Sequence, residues 1–386
     1  MNQEITKVGV IGGGQLAWMM GNDAQNLGIN LFIQTPHQND PAVIISHHTI
    51  FAPVDDAIAT SSLAKLCDVI TFENEFINLE KLSLLANQGV CFRPSLQVLS
   101  PLLDKYEQRC FLQKLNLSVP NFLTLEKLSD LLPKLNYPVV VKARRHGYDG
   151  QGTFIVDNQE TLIFKWEKIG YVPILIEDYI PFKQELAIMV ARSITGEIIT
   201  YPVVETQQKN QVCHRVLVRD DIEEKIIKEI EAIAIKFVES LNAVGIFGIE
   251  FFLTENNQIL INEIAPRTHN SGHYTIDACH TSQFAQHLRA ICGLPFGDIT
   301  MKKPGSVMVN LLGYENSQND YLSKREKIKN LPNTYIHWYG KKESRIGRKL
   351  GHVTVLSDNG TRETLEKIAD QIEAIWYSGS TLDEVQ

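Results

Sequence analysis

Gly248-Ile249-Glu250-Phe251-Phe252 and Ile259-Leu260-Ile261-Asn262-Glu263 are two apolar runs of strand character, and each carries a glutamate. Between them, Leu253-Thr254-Glu255-Asn256-Asn257-Gln258 has the polar centre of a hairpin turn. Paired as a hairpin, the runs bring Glu250 and Glu263 onto neighbouring strands. Two carboxylates on apolar strands are costly unless a cation neutralises them, and a bound metal ion is the simplest one. Magnesium suits such a site, since it takes a few carboxylate oxygens together with nucleotide phosphates. The plainer alternative is a pair of exposed strand acids, or one acid paired with Arg267. The segment after the second strand favours a ligand site: Ala265-Pro266-Arg267-Thr268-His269-Asn270-Ser271-Gly272-His273 is a dense polar run.

At 386 residues the chain exceeds one ordinary core, so two or three domains are expected. The hydrophobic content of 44% and charged content of 21% are those of a soluble globular protein. A net charge of −8 argues against nucleic acid as a partner. Cys67, Cys91, Cys110, Cys213, Cys279 and Cys292 are scattered with no Cys-x-x-Cys, which suits free thiols in a reducing cytosol. No signal peptide and no membrane span are expected, and the location read from these features is cytoplasmic.

The N-terminal strand Val8 to Ile11, the turn Gly12-Gly13-Gly14-Gln15-Leu16-Ala17, a helix stopping at Gly28, and strands Ile29 to Thr35 and Asp68 to Glu73 alternate as in a parallel sheet. This gives a Rossmann-like domain over 1–100. A second unit, 101–303, mixes helices with antiparallel strands: Pro138 to Ala143, Thr153 to Val156, Pro173 to Tyr179, Glu185 to Ser193, Glu197 to Glu205 and the glutamate hairpin. Its flap-bearing part covers about 118–180. A small β-rich domain, 304–386, carries strands Ser306 to Leu312, Tyr335 to Tyr339 and His352 to Leu356, and one amphipathic helix, Glu363 to Ile375. The fold class is thus α/β and α+β.

Gly12, Gly14 and Ala17 match a G-x-G-x-x-A dinucleotide fingerprint, but the second strand ends Ile33-Gln34-Thr35-Pro36 without the ribose-holding acid. The glycines therefore read as a tight turn whose amides are available to a phosphate or hydroxyl, and a nicotinamide oxidoreductase is a distant alternative. No G-x-x-x-x-G-K-[ST] run is present. Instead Val139-Val140-Val141-Lys142 leads to Gly147-Tyr148-Asp149-Gly150-Gln151-Gly152, a point charge followed by an amide-rich flap. Glu177-Asp178-Tyr179-Ile180 closes another apolar strand and has backbone suited to an adenine edge, with Glu185 near for ribose hydroxyls. The basic run Lys341 to Lys349 is either a solvated charge run or a monoester phosphate site. His269, His273, Cys279 and His280 suggest zinc, but Ser271 and Gly272 argue against a helix aligning the histidines.

The ordered set Lys142, Gly147-Tyr148-Asp149-Gly150, Glu177-Asp178-Tyr179-Ile180, Glu250 and Asn262-Glu263 resembles that of ATP-grasp enzymes. More narrowly, Gly-Tyr-Asp-Gly, the run Ala265 to His273, and His337-Trp338-Tyr339 before the basic run resemble the 5-(carboxyamino)imidazole ribonucleotide synthases of purine biosynthesis. The resemblance extends from Gly12 to His352 and implies an ATP-grasp fold with a Rossmann-like pre-ATP-grasp domain. It implies a carbon-nitrogen ligase that carboxylates 5-aminoimidazole ribonucleotide with bicarbonate and ATP through carboxyphosphate. Glu250 and Glu263 would hold magnesium, and Lys105 and Lys142 would contact ATP phosphates. Gly147 to Gly152, with Thr153, would form the closing flap. Glu177 to Ile180 would receive adenine, with Glu185, Gln208 and Asn262 also at the nucleotide. Tyr148 and Asp149 would meet the ribonucleotide, Asp149 accepting a proton or hydrogen bond from its amine. Lys341 and Arg348 would clamp the substrate phosphate, Gln15 and Glu73 would line the pocket, and Arg267 and Asn270 would position bicarbonate or phosphate. A homodimer is implied by the resemblance alone. Gln151 stands where relatives often carry Arg or Lys, Gln208 where some use histidine, and Ala17-Trp18 where Gly-Arg often follows Gly-Gln-Leu. Alternatives are a formate-using glycinamide ribonucleotide transformylase of the same superfamily and a non-catalytic nucleotide-binding protein.

Overall fold

The computed structural model describes residues 5–127, 135–145 and 152–379. Its N-terminal sheet is parallel, with strand order β3-β2-β1-β4, from β1 (Lys7–Ile11), β2 (Asn30–Thr35), β3 (His48–Phe51) and β4 (Val69–Phe72). Helices α1 (Gln15–Asn26), α2 (Ala57–Ala64) and α3 (Leu79–Asn87) flank it, and the short α4 (Leu96–Leu99) leads out of the domain. Gly12 has φ +113, in the region open to glycine, and starts the tight turn from β1 into α1.

Helix α5 (Lys105–Lys114) opens the second unit, capped by Asp104, which accepts from the amides of Tyr106 and Glu107. A small antiparallel sheet comes next, in the order β5-β8-β6-β7, from β5 (Phe122–Leu125), β6 (Val139–Ala143), β7 (Thr153–Val156) and β8 (Ile174–Asp178). Helix α6 (Gln159–Lys168) buries Leu162 and Trp166 against it. The larger sheet runs β14-β13-β9-β11-β12-β15-β17-β16. Its members are β9 (Phe182–Arg192), β11 (Val204–Lys209), β12 (Val212–Val218), β13 (Gly245–Thr254) and β14 (Ile259–Ala265). The rest are β15 (Gly305–Leu312), β16 (Thr334–Trp338) and β17 (Lys349–Ser357), with β10 (Ile198–Thr200) on the flank of β9.

The expected strand from Glu197 to Glu205 is divided into β10 and β11 around Pro202, whose ring removes a ladder donor. The C-terminal strands do not form a separate sheet: β15 pairs antiparallel with β12, so the C-terminal domain extends the central sheet and covers what would be an open edge.

The longest helices follow their apolar periodicity. In α7 (Glu224–Ser240), Ile226, Ile230, Ala234, Phe237 and Val238 are buried on Leu186, Phe247 and Ile249 of the sheet. In α11 (Arg362–Trp376), Leu365, Ala369, Ile372 and Trp376 pack on β15 and β17. After α8 (Thr275–Ala278), α9 (Gln283–Cys292) places Phe284, Leu288 and Ile291 in one apolar cluster with Val8, Val10 and Met20. Each such buried side chain contributes about 1.5–3 kcal/mol. Because α9 also packs on β13 and β9, that cluster joins the N-terminal sheet to the larger one. The remaining helix, α10 (Leu322–Lys329), precedes β16. Among the described residues, no helix is long and apolar enough to cross a membrane.

Candidate functional site

The glutamate hairpin forms as β13 and β14, and Glu250 and Glu263 are direct partners in its register. Asn257, with φ +58, turns the chain, and Thr254 Oγ1 accepts from the Gln258 amide at 3.0 Å. The two acids differ in their surroundings. Lys105 Nζ lies 2.6 Å from Glu263 Oε1. Burial raises the Glu263 carboxyl, but Lys105 first, then Lys142 and His269, outweigh it and hold the group at about 2. Among the described residues Glu250 has no such close cation: His269 Nε2 is 3.8 Å away and Asn262 Nδ2 donates to its Oε2 at 3.3 Å. Burial first, then the charges of Glu263 and Glu185, push Glu250 up to about 7. Neither acid pairs with Arg267, whose guanidinium grips Glu75 through Nε at 2.8 Å and Nη2 at 3.2 Å.

Beside this pair stands a buried cation-rich knot. Lys142, the penultimate residue of β6, reaches Glu177 Oε2 at 2.7 Å and donates to Asn262 Oδ1 at 3.1 Å. Arg109 of α5 pairs with the other oxygen of Glu177 and donates through Nη2 to the Asn262 carbonyl at 2.5 Å. Arg109 and Glu177 are each 2% exposed. Burial opposes the Glu177 charge, yet Lys142 and Arg109 bring the carboxyl down to about 2. The sequence reading put Glu177 at an adenine edge. That reading concerns the backbone, and the carboxylate itself faces inward to the cations, while Tyr179 is exposed. Lys142 keeps its expected place at a strand end, and its burial draws its pKa down.

On β9, Glu185 accepts a hydrogen bond from Gln208, which sits at a bulge in β11. Burial raises Glu185 to about 7 against the opposing pull of Gln208 and Lys142. Thr153 pairs with Lys142 in the ladder, and Gly152, with φ +80, accepts from the Ala143 amide at 2.7 Å. Gly147, Tyr148, Asp149, Gly150 and Gln151 lie outside the described residues.

Glu73, expected to line the pocket, is held from inside the N-terminal domain. Standing just past β4, it accepts from the amides of Gly14 at 2.5 Å and Leu16 at 3.0 Å, capping α1 where Gln15 begins. The Gly14 and Leu16 amides are thus taken by an internal carboxylate. A Cβ on Gly14 would lie 2.4 Å from Glu73 Oε1, which explains the glycine. Asn270 is buried and exchanges amide hydrogen bonds with Asn310 of β15 at 3.0 and 2.7 Å. In the C-terminal domain, Lys341 Nζ donates to the Lys349 carbonyl at 2.8 Å, and Arg348 Nη1 to that of Glu343 at 2.8 Å. The zinc reading finds no support: His273 is buried against Gln283, and His269 Nδ1 lies 2.9 Å from Ser271 Oγ.

Sequence reasoning missed Arg109, Glu75 and Asn310, and it placed Lys349 in the basic run without its charge on Glu250. For Arg109 a signal existed: it shares a helix face with Leu112, one of the buried residues of α5.

Three family models cover the chain in order. They are the ribonucleotide synthetase preATP-grasp domain over 5–100, the ATP-grasp domain over 110–284, and the phosphoribosylaminoimidazole carboxylase C-terminal domain over 306–367. The N5-carboxyaminoimidazole ribonucleotide synthase of Synechococcus elongatus is 48% identical over 384 residues, spanning 98% of this chain and 97% of the relative. This chain belongs to the N5-carboxyaminoimidazole ribonucleotide synthases. Among solved structures, the ADP complex of an N5-carboxyaminoimidazole ribonucleotide synthetase matches with a TM-score of 0.89 at 34% identity, covering 97% of this chain and 99% of that one. The Aspergillus clavatus synthase in complex with ADP and 5-aminoimidazole ribonucleotide matches with a TM-score of 0.88 at 32% identity, covering 97% and 99%. As an N5-carboxyaminoimidazole ribonucleotide synthase, the chain is an ATP-grasp ligase of purine biosynthesis that converts 5-aminoimidazole ribonucleotide in an ATP-dependent reaction.

Proposed function

We propose that the cleft between the two antiparallel sheets binds ATP with Mg2+ and that bicarbonate is the carboxyl source, activated as carboxyphosphate. The observation that carries this reading is the cross-strand pair Glu250 and Glu263, with Lys105 and Lys142 at its edge. The donor set fits a divalent cation: Glu250 is a carboxyl whose ionisation its neighbours resist, a deficit that a hard cation removes. When bound, that ion spreads the charge of the transferring phosphoryl group.

The protein's own residues do the rest. Lys142, anchored by Glu177 and Asn262, presents its ammonium to the phosphates from a fixed position. Lys105 can exchange its hold on Glu263 for a phosphate oxygen. Backbone from Glu177 to Ile180 takes adenine, and Glu185 with Gln208 takes the ribose. Arg267, locked by Glu75, and Asn270, locked by Asn310, point fixed donors at bicarbonate, so little ordering remains to be done on binding. Tyr148 and Asp149 meet the ribonucleotide, and the flap 147–152 shields carboxyphosphate from water. Lys341 and Arg348 clamp the substrate phosphate. A homodimer and a cytoplasmic location belong to the same reading, and sedimentation as a monomer would remove the first.

The test is ADP release measured across substrates. It should require Mg2+ and bicarbonate and rise sharply with 5-aminoimidazole ribonucleotide. Equal stimulation by formate with glycinamide ribonucleotide would favour the transformylase instead.

A further inference from the structure

Behind the proposed phosphate clamp lies a pile of imidazoles with no part in the proposed reaction. His337 of β16 and His352 of β17 are direct ladder partners. Their rings stack with centroids 4.5 Å apart and planes 16° apart. His337 Nε2 lies 2.8 Å from Asp277 Oδ2 on α8, a short way beyond the polar run 265–273. His352 Nδ1 lies 2.8 Å from the Tyr339 hydroxyl. His273, the last residue of that run, packs its ring 5.1 Å from His352 and accepts from Gln283 Nε2 at 3.0 Å.

Asp277, His337 and His352 each bring one ligand atom within 4.8 Å of the others, which raises the question of a metal. Geometry answers it. An imidazole lone pair lies in the ring plane, and a bound ion sits about 2 Å from the nitrogen in that plane. Two planes 16° apart and stacked face to face point their lone pairs side by side, not at a common ion. The cluster therefore has another use.

The pile ends at the clamp. Tyr339 is 2% exposed, and Lys341 Nζ lies 5.6 Å from the centroid of its ring, within cation–π range. A continuous set of contacts thus runs from Asp277 through His337, His352 and Tyr339 to Lys341. We propose that Asp277, His337, His352 and Tyr339 are positioning residues that hold the Lys341 ammonium in register with the 265–273 run, so that phosphate capture and carboxyl chemistry share one rigid frame. The inference rests on the reading of Lys341 as a clamp for the substrate phosphate. It assigns no catalytic contact to the four residues, which act through Lys341.

The experiment compares Tyr339→Phe, Asp277→Asn and Lys341→Ala in steady-state kinetics, varying 5-aminoimidazole ribonucleotide and ATP separately. Tyr339→Phe keeps the ring under Lys341 and removes the hydroxyl that meets His352, so it tests the idea without emptying the core. Loss of one hydrogen bond in such a set should raise the KM for the ribonucleotide about 3- to 10-fold. The kcat and the KM for ATP should stay within about twofold of wild type. The double variant Tyr339→Phe with Lys341→Ala should be no worse than Lys341→Ala alone, since both act on one interaction. If Lys341→Ala raises the ribonucleotide KM while Tyr339→Phe and Asp277→Asn leave it unchanged, the positioning role is wrong and the clamp stands. If Lys341→Ala also leaves it unchanged, the clamp reading and this inference fall together. Equal increases in both KM values would mean general loosening of the fold and would also overturn the inference.

Discussion

Replacing Glu250 by Gln should stabilise the metal-free protein above neutral pH, an unusual outcome for a variant of a proposed ligand. Burial first, then Glu263 and Glu185, raise the Glu250 carboxyl from an ordinary 4.5 to about 7. Between those values the folded chain keeps a proton that the unfolded chain has released. Stability contributed by this group is therefore complete below 4.5 and falls as the pH rises, reaching its full deficit above about 7. At about 1.4 kcal/mol for each tenfold change in proton affinity, the displacement corresponds to about 3 kcal/mol. One fifth of the side chain reaches solvent, which trims the expectation to about 2 kcal/mol. Glutamine has nearly the same shape, can still accept from Asn262 Nδ2, and has no charge to lose.

The assay is the urea midpoint followed by intrinsic fluorescence, with EDTA, at pH 5 and pH 8. Only midpoints should be compared, because a chain of several domains need not unfold in one step. At pH 5 the variant and wild type should nearly coincide, and at pH 8 the variant should be the more stable. Mg2+ with ADP should reverse the order, raising the wild-type midpoint and leaving the variant close to its EDTA value. A variant less stable than wild type at pH 8 in EDTA would refute the electrostatic argument. An equal gain from Mg2+ and ADP in both proteins would refute Glu250 as a ligand.

Glu177→Gln leaves Arg109 and Lys142 buried with their shared counter-charge removed, and should cost about 3–5 kcal/mol together with a raised KM for ATP; a loss below about 1 kcal/mol in the denaturation midpoint would show the knot to be looser than its geometry implies. Gly14→Ala should drive the Glu73 carboxylate off the α1 amides, and Glu73→Ala frees the same amides at about 1–3 kcal/mol. The two effects should not add in the double variant, and simple additivity would contradict the cap. Lys105→Met removes the main cation holding Glu263 at about 2. The stability that Glu263 contributes above about 4.5, lost as pH falls toward 2, should then disappear, seen as a flatter acid limb in a thermal unfolding series from pH 3 to 6.

What the sequence disclosed was local. Glu250 and Glu263 were readable as partners because a short polar turn joins their strands, and ladder register does the rest. The alternation of strands and helices before Glu73 was readable for the same reason, and the parallel sheet results from it. Contacts that close over long separations were not legible. Glu75 and Arg267 lie 192 positions apart, and Glu177 and Arg109 lie 68 apart. The Glu73 contacts share this cause: Gly14 and Leu16 lie 59 and 57 positions away, and nothing local shows that their amides reach its carboxylate. Charge balance supplies a constraint that periodicity lacks. Glu177 comes after Ile174, Leu175 and Ile176 in a strand buried throughout that stretch, and a carboxylate there requires cations from elsewhere in the chain. Lys142 was one candidate on a strand of the same unit, and Arg109, on the buried face of α5, was the other. Requiring neutrality at each buried acid would have found the knot before its geometry was known, and would have separated Glu177, already neutralised, from Glu250, still short of a cation.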